Sequence, residues 1–174
     1  MEFIFKLIFQ LDSETANQDE LVERLGAEGC TDALIGIGIP GRIGLEFTRD
    51  AESGEEALLS AIADVRRAIP TARLIEASPD LVGLTDVADL VKVSRQNMRK
   101  LTISHSGTFP APVHSGSTAL YHLDEVLAWL QTECSYEIVP SVIEVAATAK
   151  QINLVKEAKS LEPSLAEKVQ LLLA

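Results

Sequence analysis

Residues 84–130 constrain the fold of this chain most, because they predict two short helices that meet at a tight turn. Apolar residues recur at helical spacing over 86–91, and Thr85 is the predicted N-cap of that helix. A second helix is predicted from Ser94, with its body over 95–101.

The second helix divides into an apolar and a polar face. Met98 and Leu101, three positions apart, are predicted to face inward. The outward side chains are Arg95, Gln96, Arg99 and Lys100, and the direction of Asn97 is left open. Arginine pairs in a fork with guanine, glutamine and asparagine pair with adenine, and lysine neutralises phosphate. An ordinary solvated helix face is the alternative interpretation of the same pattern.

A break in helical pattern follows. Pro110 and Pro112 lack a backbone N–H, so no helix continues through them. Residues 113–122 then predict a small hairpin with its tip at 115–118. Asp124 begins a third helix, whose apolar face consists of Val126, Leu127, Trp129 and Leu130.

These pieces, in this order, resemble the excisionase and AlpA-type winged helix-turn-helix regulators, which are relatives of the MerR DNA-binding domain. The matching strings are Asp86-Val87-Ala88-Asp89-Leu90, Val93-Ser94-Arg95-Gln96, Phe109-Pro110-Ala111-Pro112-Val113 and Asp124-Glu125-Val126-Leu127-Ala128-Trp129-Leu130. The resemblance covers about 47 of the 174 residues. Lys92 occupies a turn position that these families usually fill with glycine, where a left-handed lysine costs roughly 1 kcal/mol.

The resemblance implies a helix in the major groove of double-stranded DNA and a wing on its backbone. In that arrangement Arg95, Gln96, Asn97 and Arg99 meet the base edges. Ser94 and Lys100 meet phosphate, and the wing contributes His114, Ser117 and Thr118.

Residues 1–77 predict an N-terminal domain with the element order β-α-β-β-α-β. Strands are expected over 2–11, 31–39, 42–49 and 73–77, and helices over 17–25 and 53–69. This order is typical of the ferredoxin-like α+β arrangement, an antiparallel sheet with both helices on one face. Residues 78–83 are expected to be a linker before the winged segment at 84–131.

Residues 132–174 predict a C-terminal helical pair. The first helix is expected from Pro140 to about Ser160, and the second begins at Ser160 or Pro163. The broad apolar faces allow either capping of the sheet or pairing with a second copy. Dimerisation is the favoured interpretation, because a helix-turn-helix usually reads DNA with two-fold symmetry.

The formal net charge of −11 is unevenly distributed. Residues 1–80 carry 16 acidic and seven basic side chains, whereas residues 81–131 carry four of each. This acidity argues against a non-specific nucleic-acid binder and allows a specific one. Since the neutral segment offers few cations per copy, we expect modest affinity and binding as a homodimer.

The sequence predicts neither an enzyme nor a cofactor or metal site. His105, His114 and His122 all lie around the hairpin, and the last two are expected to face each other without further ligands. Residues 36–41 match GxGxxG, but a strand follows them, so no helix N-terminus is there to hold pyrophosphate. The apolar start lacks a cleavage site and is too short for a bilayer, so a cytoplasmic location is expected, with no membrane partner.

Three functions remain open. The first is a sequence-specific DNA-binding transcriptional regulator. The second is a protein-interaction module, such as an antitoxin or inhibitor, whose acidic N-terminal domain binds a basic partner. The third is a repressor that senses a small ligand through the sheet domain, for which no residue names the ligand.

Overall fold

The computed structural model describes residues 1–12 and 17–173, which form a mixed α+β fold. Within these residues there are seven helices, and the strands form two antiparallel sheets. The predicted α+β class is therefore confirmed. The elements are β1 Glu2–Gln10, α1 Gln18–Ala27, β2 Ala33–Gly36, β3 Arg42–Asp50, α2 Gly54–Ala68, β4 Arg73–Ser78, β5 Leu81–Val82, α3 Leu84–Leu90, α4 Arg95–Ser104, β6 His114–Ser115, β7 Ala119–His122, α5 Leu123–Cys134, α6 Pro140–Ala158 and α7 Pro163–Leu173.

The first sheet has the strand order β2-β3-β1-β4, with every neighbouring pair antiparallel. Alternate residues of β1 are buried, and they share one core with apolar residues of α1 and α2. Both helices therefore lie on the same face of the sheet. The opposite face is open, with Ile4 and Leu34 exposed.

Strand β2 is shorter than the predicted span of 31–39. The Ala33 amide donates to the Cys30 carbonyl, and the Arg42 amide donates to the Ile39 carbonyl. These two turns take up the ends of the predicted strand. Only Ala33–Gly36 remains to pair with β3.

The second sheet has the order β5-β7-β6 and shares a separate core with α3, α4 and α5. Leu81 and Val82, predicted as linker, pair with His122 and Tyr121. Helix α3 begins at Leu84, so the prediction of Thr85 as its N-cap is wrong.

Gly83 is the N-cap of α3, and a hydrogen bond from its backbone amide supports this position. The Asp86 carboxylate lies 2.8 Å from the Gly83 amide nitrogen and accepts its hydrogen bond. The helix consequently begins two residues earlier than its apolar periodicity indicates.

Helix α6 packs against both cores. Val145 and Ala149 belong to the core of the first sheet, and Ala146 belongs to the second core. Glu144 accepts a hydrogen bond from the Gly54 amide at the start of α2. Within the C-terminal segment α6 is thus packed against both cores, whereas none of the described side chains of α7 is buried.

Among the helices that the structure describes, none combines the length and apolar character needed to cross a membrane.

Candidate nucleic-acid interface

Helix α4 begins with a complete N-cap. The Ser94 hydroxyl accepts a hydrogen bond from the Asn97 amide at 3.1 Å. Two residues earlier Lys92 has a φ of 56°, so the turn that joins α3 to α4 is left-handed. This is the conformation that the turn requires and that favours glycine. This four-residue connection, 91–94, sets the direction of α4 relative to α3.

The polar face of α4 lies in solvent. The predicted contact residues all have exposed side chains: Ser94, Arg95, Gln96, Asn97, Arg99 and Lys100. Met98, on the opposite face, is completely buried in the second core, and Leu101 packs against that core. The predicted division into an inner and an outer face is therefore confirmed. Helix α4 also contains no acidic residue that would repel phosphate.

An aromatic cluster holds the carboxyl end of α4 and the segment that follows it. The Phe109 ring packs edge-on against Trp129 at 4.9 Å and against Tyr121 at 5.6 Å between ring centroids. His105, which caps α4, also packs edge-on against Trp129. The Trp129 Nε1 atom donates to the Thr108 hydroxyl. With Met98 buried near one end and these rings at the other, α4 is anchored along its length.

The β6–β7 hairpin extends from the same core. His114 pairs with Leu120 and Ser115 pairs with Ala119, which leaves residues 116–118 at the tip. The hairpin residues that the sequence assigned to DNA contact, His114, Ser117 and Thr118, are exposed. A Cβ atom at Gly83 would lie 3.7 Å from the Thr118 methyl group, so the tip lies beside the start of α3. The hairpin and the helix pair are thus adjacent.

His122 does not face His114, contrary to expectation. Its Nδ1 atom lies 2.6 Å from the Asp80 Oδ1 atom, because the strand register places it opposite Leu81. Asp80 is 2% exposed, and its other carboxylate oxygen accepts a hydrogen bond from Asn153.

Asn153 completes this group by bonding to Ala77 at the end of the first sheet. Its side-chain amide donates to the Ala77 carbonyl and accepts from the Ala77 amide. We call Ala77, Asp80, His122 and Asn153 the Asp80 cluster. Sequence reasoning missed it, although an asparagine within the apolar face of a long helix was a usable signal for a buried polar contact.

A second polar contact links α6 to the start of α5. The Lys150 ammonium lies 3.1 Å from Asp124 and 2.7 Å from Glu125. Burial lowers the pKa of Lys150, but the hydrogen bonds to Glu125 and Asp124 outweigh it, so the net pKa lies above its ordinary value. Lys150 is thus charged at neutral pH, and it contacts two of the four acidic groups in the 81–131 segment, of whose two negative charges it offsets one.

Chemically, the exposed surface of α4 suits recognition of a polyanion with a patterned edge. It presents two guanidinium groups, one ammonium and two carboxamides on a helix that is fixed from behind. Over residues 1–12 and 17–173, no group of three or more His, Cys, Asp or Glu side chains is arranged to hold a metal ion. Comparison with known proteins gives no match, whether to family models, to curated proteins or to solved structures.

Proposed function

We propose that this chain is a sequence-specific double-stranded DNA-binding protein, a cytoplasmic transcriptional regulator that acts as a dimer through a recognition helix at residues 94–102. The observation that carries the proposal is the exposure of Arg95, Gln96, Asn97, Arg99 and Lys100 together on one helix. Base readout requires side chains of these types held on a rigid element. Burial of Met98 supplies the rigidity.

The arrangement around α4 supports the finer fold assignment within this proposal. Helices α3 and α4, the left-handed turn at Lys92 and the adjacent β6–β7 hairpin are the parts of a winged helix-turn-helix. The strand order β2-β3-β1-β4 is that of a ferredoxin-like sheet, with α1 and α2 on one face. The winged unit would contact DNA. Most acidic side chains belong to the sheet domain, which would not contact the DNA.

Selection from a library of random DNA duplexes tests the proposal. The full chain is expected to enrich a motif of two half-sites, separated by about one helical turn, or roughly 34 Å. Its affinity for the selected duplex should exceed its affinity for random duplex by about 10³-fold or more. Failure to enrich any motif, with equal weak binding to all duplexes, would refute it.

The open face of the first sheet favours a second candidate, the protein-interaction module. Ile4 is 60% exposed and Leu34 is 75% exposed on a domain rich in acidic side chains. A basic partner with an apolar centre, as an antitoxin or inhibitor would bind, matches both features. Binding of such a partner should be lost in Leu34→Glu and kept in Arg99→Ala, whereas DNA binding should show the reverse pattern.

A further inference from the structure

A groove of about 700 Å³ runs between α2 and α6, beside β4. Each helix borders it with residues at the spacing of a single helix face, from Glu55 to Arg66 on α2 and from Thr148 to Lys159 on α6. Its apolar lining consists of Leu59, Ile62, Ala72, Leu74, Ile152 and Val155. A groove with an apolar floor between two helices is the geometry that receives an amphipathic helix.

Helix α7 is an amphipathic helix with no buried side chain among its described residues. Leu165, Val169 and Leu172 recur at i, i+4 and i+7, and they are 58%, 42% and 85% exposed. An apolar stripe of this kind normally lies against a core. One chain therefore leaves both a helix-shaped groove and an apolar helix open to solvent.

The two surfaces agree in length and in charge. Helix α7 has 11 residues, about 16 Å, and the α6 border of the groove is about as long. The groove carries four cations, Arg66, Arg73, Lys156 and Lys159, against the single acid Glu55. Helices α2 and α6 meet near their starts, where the Gly54 amide bonds to Glu144. Arg66 and Lys159 lie at the carboxyl ends of the two helices, so this end of the groove is cationic.

The start of α7 offers the complementary charge. The Glu162 carboxylate caps α7 by accepting hydrogen bonds from Ser164 and from the Leu165 amide. The bonds from Ser164 and Leu165 hold the pKa of Glu162 below its ordinary value, so it is ionised at neutral pH. A helix that runs antiparallel to α6 in the groove would bring Glu162 toward the cationic end.

The connection between α6 and α7 disfavours docking of α7 on its own chain. The amides of Lys159, Ser160 and Leu161 each donate to a carbonyl three residues earlier, and Glu162 then caps α7. These bonds define the turn that leaves α7 off the groove. With this turn formed α7 stays off its own groove, whereas the groove of another copy is open to it.

We propose that α7 of one copy docks in the α2–α6 groove of a second copy, and that the reciprocal contact forms the homodimer. Two such contacts bury on the order of 1,000 Å², which is the lower limit for a specific interface. The inference deepens the proposed function, since it names the contact that would pair two recognition helices. It rests on that function only for the DNA measurement below.

Single substitutions in the full chain test the contact from both sides. Light scattering across about 1 to 100 μM chain should give twice the single-chain mass of 18.8 kDa. Leu165→Glu on α7 and Val155→Glu in the groove each place a charge in the apolar contact. Each is expected to weaken the dimer by about 10-fold to 100-fold. Both positions are exposed within the chain, so the variants should keep the circular dichroism of the parent.

Matched controls lie on the same two helices. Leu171 is 81% exposed on α7 outside the stripe of Leu165, Val169 and Leu172, and Leu154 is 46% exposed on α6 outside the groove lining. Leu171→Glu and Leu154→Glu should remain dimeric. An equimolar mixture of the Leu165→Glu and Val155→Glu variants should recover a weaker dimer, because one helix and one groove are intact in each pair.

Three results would overturn the proposal. The first is a parent chain that is monomeric over the whole concentration range, in which α7 is exposed or folded on its own groove. A dimer lost in Leu165→Glu and unchanged in Val155→Glu is held by α7 against α7. A dimer unaffected by both variants forms elsewhere. DNA binding is measured separately. A dimer without DNA binding refutes the proposed function alone. Specific binding by a monomer refutes this contact and the dimeric part of the proposed function, and it leaves sequence-specific DNA binding standing.

Discussion

The Nδ1 atom of His122 lies 2.6 Å from the Oδ1 atom of Asp80, and this contact joins the end of β7 to the segment that leaves the first sheet. Asn153 on α6 holds the other oxygen of the same carboxylate at 2.8 Å. Through Asn153 the cluster also reaches Ala77 in the first sheet. The proposed DNA-binding unit is therefore attached to the sheet domain by buried hydrogen bonds as well as by the chain.

Asn153→Ala should reduce the free energy of unfolding by about 2–4 kcal/mol, because it leaves a buried carboxylate without its amide donor and breaks two backbone contacts. Urea denaturation of the full chain measures the change. Gln151→Ala, an exposed amide on the same helix, is the control and should change stability by no more than about 0.5 kcal/mol. Equal small effects of the two substitutions would contradict a structural role for the Asp80 cluster.

Arg99→Ala should weaken binding to the selected duplex by about 1–3 kcal/mol and leave the melting temperature nearly unchanged, because the side chain is exposed and points away from the core. Fluorescence anisotropy with selected and random duplexes measures the effect. Arg42→Ala removes the same charge from the exposed start of β3 in the first sheet and should have little effect. An equal loss on selected and random DNA would show a phosphate contact instead of base recognition.

Gly54→Ala should destabilise the chain by about 1–3 kcal/mol, because an added Cβ would lie 2.8 Å from the Glu144 Cβ atom and 2.9 Å from its carbonyl carbon. Backbone atoms cannot move aside as a flexible side chain does. Gly26→Ala is the matched control, since a Cβ there meets nothing within 4 Å. It should stabilise α1 by about 0.5 kcal/mol in thermal unfolding. Destabilisation by both changes would argue against close packing of α2 on α6.

Cys30 should resist alkylation in the folded chain. Burial, with a further contribution from the charge of Asp64, raises the pKa of its thiol to about 11. At pH 8 iodoacetamide should therefore label Cys134, which is half-buried, and reach Cys30 only after denaturation. Mass spectrometry counts the labels.

The same shift predicts how stability depends on pH. The unfolded thiol loses its proton near pH 9 and the folded one only near pH 11. Ionisation of Cys30 therefore lowers stability as the pH rises through that interval and has no effect below it. Cys30→Ala should show a shallower loss of stability between pH 9 and pH 11 in denaturant titrations. Parallel curves for parent and variant would be inconsistent with the raised pKa.

The residue pattern alone predicted those features that depend on neighbouring residues in the chain, such as helix faces and helix caps. The exposed face of α4 and the burial of Met98 follow from a period of 3.6 residues, and Ser94 caps the helix through a bond to Asn97. The left-handed turn at Lys92 was expected from the resemblance alone, and the φ of 56° at Lys92 agrees with that expectation.

Other features depend on residues that are far apart in sequence. Strand β5 forms because Leu81 and Val82 pair with β7. Asp80 is bonded to His122 and Asn153, which follow it in the chain by 42 and 73 positions. The α2–α6 groove likewise arises only when Gly54 meets Glu144. The sequence by itself determined the helices, the first sheet's element order and the outward side chains of α4, since these follow from local periodicity and capping. Only the tertiary structure decided that α6 joins two cores and that α7 is left exposed, because hydrogen bonds and packing between distant segments control both.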